Sequence, residues 1–86
     1  MTAKILKFGA SWCSPCKQLK ETIKKLPEDQ QNLIEDYDID TCDPSLVSQY
    51  NVRGVPTMIV LNDNGEILKR VSGSQPLAEL SKLFTL

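Results

Sequence analysis

The stretch Trp12-Cys13-Ser14-Pro15-Cys16 decides the fold. Before it, Ile5-Leu6-Lys7-Phe8-Gly9-Ala10-Ser11 reads as a short strand running into a turn; after it, Lys17 to Leu26 reads as a helix. Two thiols separated by two residues at a strand-to-helix junction form the context of a redox pair, able to close a small disulfide and reopen it. Helical spacing divides the two thiols. Cys16, Leu19, Ile23 and Leu26 fall on one stripe, so Cys16 points toward the core. Cys13 lies about 60° off that stripe, at the helix N-terminus, where unpaired N–H groups and the positive end of the dipole stabilise a thiolate. Lys17 and Lys20 are read on the same flank. Cys13 is therefore the expected nucleophile and Cys16 the buried resolving thiol. Cys13 would attack a substrate disulfide, and Cys16 would then attack Cys13 to release the reduced substrate. Pro15 sits in the first turn, where it removes no intrahelical hydrogen bond and stiffens the loop between the thiols.

Working outward, the pattern predicts strand, helix, strand, helix, strand, strand, helix. The first strand is Lys4–Phe8 and the first helix Cys13–Leu26, stopped by Pro27. A second strand covers Leu33–Asp40. Asp43 then reads as an N-cap with Pro44 at the first helical position, opening a short helix to Gln49 or Tyr50. Thr57–Leu61 is an apolar strand, Asn62-Asp63-Asn64-Gly65 a hairpin turn, and Glu66–Val71 the returning strand. Pro76–Phe84 closes the chain as a helix with Leu77, Leu80, Leu83 and Phe84 on one side. The βαβ start requires a parallel pair and the hairpin adds an antiparallel one. The expectation is an α/β fold, a mixed four-stranded sheet in βαβαββα order with helices on both faces.

Length and composition agree with this. The chain has 86 residues, is 41% apolar and 24% charged, and carries a formal net charge of −1, which fits one domain spanning residues 1–86. Nothing in that balance calls for nucleic acid or a membrane, and no apolar run approaches the length of a membrane span. Met1-Thr2-Ala3-Lys4 leads straight into a strand and does not read as a signal peptide. Three cysteines do not make a secreted disulfide framework, so a cytoplasmic location is expected. A zinc site needs about four ligands; with no His and one further Cys, one copy of the chain cannot assemble it, leaving only a site shared between copies.

Arg53-Gly54-Val55-Pro56-Thr57 is the second informative stretch. Pro56 at the start of an apolar strand cannot donate to the ladder. Either a trans proline merely starts the strand, or a cis Val55–Pro56 bond lies beside the thiols and leaves the Val55 backbone free to pair with a peptide as an added strand.

Together the two motifs resemble the thioredoxin family. The Trp-Cys-x-Pro-Cys-Lys run matches at Trp12, Cys13, Pro15, Cys16 and Lys17, and the Val-Arg-Gly-Val-Pro-Thr run at Val52 to Thr57. Asn64-Gly65-Glu66 and Gly73 fall at the family's spacing for the hairpin and following loop, and Asp40 and Pro44 fit the strand-to-helix passage. The resemblance implies a thioredoxin-like fold with a cis Val55–Pro56 bond. It implies a protein disulfide reductase with no bound cofactor or metal, working as a monomer through a Cys13–Cys16 redox disulfide. A thioredoxin reductase drawing on NADPH would recharge it, and disulfide-containing proteins such as ribonucleotide reductase would be its substrates. Trp12, Ser14, Pro15, Val55, Pro56 and Gly73 become the expected substrate-contact residues.

Three departures qualify the resemblance. Only eleven residues precede Trp12, where thioredoxins carry an extra strand and helix, so the chain resembles a shortened, glutaredoxin-sized form with one sheet edge open. Ser14 stands where the family usually has Gly, placed to donate to the Cys13 thiolate or simply to cap. Six residues before Cys13, where thioredoxins bury an Asp near a Lys on the neighbouring strand, stands Lys7, and the neighbouring position reads as Asp36. The charges look exchanged. Lys7 and Asp36 are expected to pair beneath Cys16, since either alone there is costly, with Asp36 a candidate base for Cys16. Cys42 reads as a surface thiol, and Asp36, Asp38 and Asp40 as one solvated strand face. Lys17, Lys20, Lys24 and Lys25 make the first helix basic, with Glu21 and Lys25 paired at i,i+4. Two other functions compete: a glutathione-linked glutaredoxin activity, suggested by the short length and Ser72-Gly73-Ser74, and a binding subunit without turnover.

Overall fold

The computed structural model describes residues 1–86. Its centre is β1 (Lys4–Gly9), which pairs in parallel with β2 (Ile34–Asp38) on one side and antiparallel with β3 (Thr57–Leu61) on the other; β4 (Ile67–Ser72) closes the far edge against β3. The sheet is the mixed four-stranded one predicted from the sequence, and its order is β2-β1-β3-β4. β1 and β3 are interior strands covered on both faces, so apart from Lys7 and the residues at the strand ends their side chains are apolar without alternation. One face packs Ile5, Met58 and Val60 against Leu19, Leu26, Leu80 and Leu83, under α1 (Ser14–Ile23) and α4 (Leu77–Lys82). The other packs Leu6, Phe8, Ile59 and Leu61 against Leu46, Tyr50 and Val52, of which Leu46 lies in α3 (Pro44–Gln49) and Tyr50 caps it. Phe8 also stacks on Tyr37, with ring centroids 5.4 Å apart.

Local chemistry sets the element ends. Asp43 caps α3 by accepting a hydrogen bond from the Ser45 N–H at 2.9 Å, with Pro44 in the first turn. That bond holds the Asp43 carboxyl below its ordinary range. In the hairpin, Asn62 Oδ1 accepts from the backbone N–H groups of Asn64 and Glu66, and Gly65 supplies the positive φ of 79° the turn requires.

The structure differs from the sequence pattern at four places. α1 ends at Ile23, not Leu26: Lys25 and Leu26 donate to carbonyls three residues back, and Gln31 Nε2 takes up the freed Leu26 carbonyl at 2.8 Å. Gln31 belongs to a further turn of helix, α2 (Glu28–Gln31), where the pattern shows only a Pro27 stop. β2 ends at Asp38 because the Thr41 and Cys42 N–H groups turn back onto the Asp38 carbonyl, which takes Asp40 out of the acidic strand face. Leu77 does not join Leu80 and Leu83 in the core; it opens α4 one turn ahead of Leu80 and stays exposed.

Truncating Phe8 to Ala should destabilise the protein by about 3–5 kcal/mol, whereas Leu77→Ala should stay within about 1 kcal/mol; urea denaturation of both variants checks the two faces of this account. Asp43→Ala should lower stability at neutral pH. The folded-state carboxyl titrates below its unfolded value, so its contribution is complete above the ordinary carboxylate range and is lost as pH falls through the depressed value. The gap between wild type and Asp43→Ala in denaturant midpoint should therefore close on acidification.

Candidate active site

Residues 10–13 turn from β1 into α1. Cys13 is the N-cap, in extended conformation, and its Sγ accepts a hydrogen bond from the Cys16 backbone N–H at 3.2 Å. Ser14 and Pro15 form the first turn of the helix without losing an intrahelical bond. Cys13 and Cys16 are joined in a disulfide, their Cα atoms 5.2 Å apart. Cys16 lies inside, as its helical stripe predicts, but Cys13 is equally enclosed: Cys16 is 7% exposed and Cys13 4%. Helical spacing does not govern Cys13, because as the N-cap it lies outside the helical geometry, and the disulfide draws it into a cluster with Ala10 against Ile39 and Val55.

The Val55–Pro56 peptide is cis, the second of the two alternatives the sequence leaves open. Pro56 is buried, and its carbonyl accepts from the Gly73 N–H at 2.9 Å, with Gly73 at a φ of 82°. No backbone hydrogen bond reaches Val55. A half-buried residue in contact with the disulfide thus keeps its backbone donor and acceptor unpaired within the chain.

Lys7 and Asp36 are register partners across β1 and β2, and Lys7 Nζ donates to Asp36 Oδ1 at 2.6 Å. The pair is asymmetric. The Lys7 side chain is 11% exposed and that of Asp36 70%. A pair this open on one side contributes at most about 1 kcal/mol; its larger effect is to satisfy an ammonium that is otherwise almost enclosed. Both residues line a groove of about 650 Å3 that also reaches Cys16. A Cβ on Gly9 would meet Cys16 Sγ at 3.5 Å, so the lack of a side chain there keeps the groove open to the sulfur. Lys17, Lys20 and Lys24 line this groove together with Cys16. Glu21 pairs with Lys24 at i,i+3, 3.1 Å, not with Lys25.

Trp12 is 65% exposed beside the disulfide, and its Nε1 donates to Asp40 Oδ2 at 2.9 Å. Asp40 has no such part on the strand face expected from the sequence; the turn after Asp38 is what brings it to the indole. Ile39, which packs on the disulfide cluster, is also missed for that reason. Ser14 is exposed and makes no side-chain hydrogen bond; the donor to Cys13 is the Cys16 backbone. Cys42 is a half-buried free thiol whose S–H lies 3.7 Å from the Asp43 carbonyl. Asp36, Asp38 and Asp40 do not converge as a metal-binding group. On β2, Tyr37 donates its hydroxyl to Glu35 at 2.8 Å; this bond, together with Lys4, lowers the Glu35 carboxyl, and the same bond to the Glu35 carboxylate raises the Tyr37 phenol.

A disulfide closed across the mouth of a helix, on a β2-β1-β3-β4 sheet and backed by a cis proline, defines a thiol–disulfide exchange protein of thioredoxin-like fold. Comparison with known proteins gives the family. The thioredoxin profile matches residues 2–85. The thioredoxin of Staphylococcus epidermidis is 33% identical over 82 residues, covering 94% of this chain and 78% of that protein, and the thioredoxin of Staphylococcus aureus is 31% identical with the same coverage. Among solved structures, reduced Schistosoma mansoni thioredoxin pre-protein superposes with a TM-score of 0.82 at 27% identity, covering 98% of this chain and 77% of that one; a Halobacterium salinarum thioredoxin gives 0.78 at 31% identity, covering 93% and 69%. The chain belongs to the thioredoxin family and is a thiol–disulfide oxidoreductase that reduces protein disulfides.

Trp12 is the sole tryptophan, so its fluorescence reports the Asp40 contact directly. Asp40→Ala should free the indole and lower its steady-state anisotropy, with a stability change of no more than about 1 kcal/mol for this exposed bond.

Proposed function

We propose that Cys13 is the attacking thiol and Cys16 the resolving one, in a cycle that passes two electrons to disulfide-containing proteins. The observation that carries this reading is the Cys13–Cys16 disulfide with Cys13 at the N-cap. A thiolate there faces the unpaired N–H groups of the first turn and borders the exposed Trp12, Ser14 and Pro15, where a partner can approach. The Cys13 thiolate attacks one sulfur of the substrate disulfide; a Cys13–substrate disulfide forms and the first substrate thiolate leaves. The Cys16 thiolate then attacks Cys13 Sγ, the mixed disulfide breaks and the second substrate thiolate leaves. The internal disulfide remains, two electrons having passed to the substrate.

The substrate chain is held by Val55, whose unpaired backbone suits addition of one extended strand, with Pro56, Gly73, Trp12, Ser14 and Pro15 around it. Asp36 takes the Cys16 proton through the groove they share, and Lys7 offsets the charge left on Cys16. The reducing equivalents reside in the thiol pair, so the 86 residues act as one unit without a bound cofactor. A thioredoxin reductase drawing on NADPH returns the cysteines to the dithiol form, in the cytoplasm. No helix is long and apolar enough to cross a membrane.

Two coupled assays test the cycle. Insulin reduction driven by NADPH and thioredoxin reductase is the expected result; reduction sustained only by glutathione and glutathione reductase would make this a glutaredoxin-like activity instead. Cys16→Ser should accumulate a Cys13–substrate disulfide, detectable by intact mass, while Cys13→Ser should accumulate none. Asp36→Asn should slow release from the mixed disulfide by about tenfold or more and flatten its pH dependence. An unchanged rate and pH profile would remove Asp36 from the proton transfer.

A further inference from the structure

The chain has two arginines, Arg53 and Arg70, and both line one small cleft with Asn51, Gly54, Thr57 and Ser72. The cleft has a volume of about 330 Å3 and no hydrophobic side chain in its walls. It lies where β3 starts and β4 ends and adjoins the substrate ledge: Gly54 precedes Val55, and Ser72 precedes the Gly73 whose N–H donates to the Pro56 carbonyl.

The charge of this cleft is uncompensated. Every ion pair in the molecule uses a lysine: Lys4–Glu35, Lys7–Asp36, Lys24–Glu21 and Lys82–Glu79. Neither guanidinium meets a carboxylate, and no acidic residue lines the cleft. Both are nonetheless held. Arg70 Nη2 donates to the Tyr50 carbonyl at the end of α3, 2.6 Å away, and Arg53 Nε donates to Asn51 Oδ1 at 3.3 Å. Asn51 adopts a left-handed φ of 52°, a conformation Asn tolerates better than most residues, which ends the helix and turns the chain toward Arg53. Each arginine uses one N–H group in these contacts and keeps others for a ligand. The Asn51 amide N–H groups and the Ser72 hydroxyl are also unbonded within the chain.

We infer that this cleft is a carboxylate subsite, which binds an Asp or Glu side chain of the protein docked on the Val55 ledge. Exposed guanidinium groups, each tied by one hydrogen bond, match the planar two-oxygen geometry of a carboxylate better than a lysine does. The volume of about 330 Å3 leaves room for an anionic side chain. The inference rests on the ledge reading above and extends it to specificity: among disulfide proteins, those with an acidic residue in register with the cleft are preferred partners.

Pre-reduced protein is mixed with disulfide-bridged peptides that carry a single Glu, scanned through the positions flanking the cystine, and with matched Gln peptides; thiol release is followed under single-turnover conditions. At one position the Glu peptide should react about tenfold faster than its Gln counterpart, the scale of one hydrogen bond to a charged group. That ratio should fall toward one at high ionic strength and in Arg70→Gln. Arg70 also covers the end of α3, so Arg53→Gln, whose contact lies within its own loop, provides the second variant, and Arg70→Lys should retain part of the preference. A Glu/Gln ratio near one at every position, or a ratio unchanged in the Arg53→Gln/Arg70→Gln double variant, overturns the subsite. The Gln peptides separate this failure from the other: if they are reduced while the ratio stays at one, only the subsite is wrong, whereas if wild type reduces none of the peptides, the ledge reading falls with it.

Discussion

The site depends on the burial of β1 on both faces. Ile5 and Lys7 face α1 and α4, Leu6 and Phe8 face α3, and pairing on both edges fixes the register. A strand held this way delivers the turn at residues 10–13 to a single place, so α1 starts where Cys13 can cap it and Cys16 can reach Cys13 one turn later. The neighbouring interior strand, β3, brings Val55–Pro56 to the same end of the sheet. Thiols and ledge therefore meet because two adjacent central strands end together, and neither needs a contact of its own to find the other.

Lys7 is the exception within that burial. It is the one charged side chain of the enclosed strand segment, and its partner Asp36 belongs to the outer strand and remains mostly in water. A fully buried pair would carry a desolvation penalty on both sides; here it falls on the ammonium alone. The same asymmetry leaves Asp36 in water at the edge of the groove that reaches Cys16.

Much of this was legible in the sequence because the signals are local. The strand-to-helix junction at Cys13, the Asp43-Pro44 cap and the Asn64-Gly65 hairpin each depend on residues within one turn of each other, and the structure has them where the pattern predicts. The Lys7–Asp36 pair was also legible, once parallel pairing set the two strands side by side. The missed features arise from contacts with no local signature. Gln31 ties off the end of α1 from a helical turn the Pro27 stop conceals, and Asp40 reaches Trp12 only because the chain folds back after Asp38. The enclosure of Cys13 follows from the disulfide itself, which no helical wheel represents. The two-arginine cleft joins Arg53 to Arg70 across the hairpin, a proximity that appears only when Thr57 and Ser72 are paired.

The division of labour between the thiols is the claim on which the mechanism rests, and alkylation of the reduced protein tests it most directly. The protein is treated briefly with iodoacetamide at neutral pH and each cysteine is followed by peptide mass mapping. Cys13, at the helix N-cap, should be modified ahead of Cys16 and of the half-buried free thiol Cys42. Equal modification of Cys13 and Cys16, or faster modification of Cys16, would contradict the assignment.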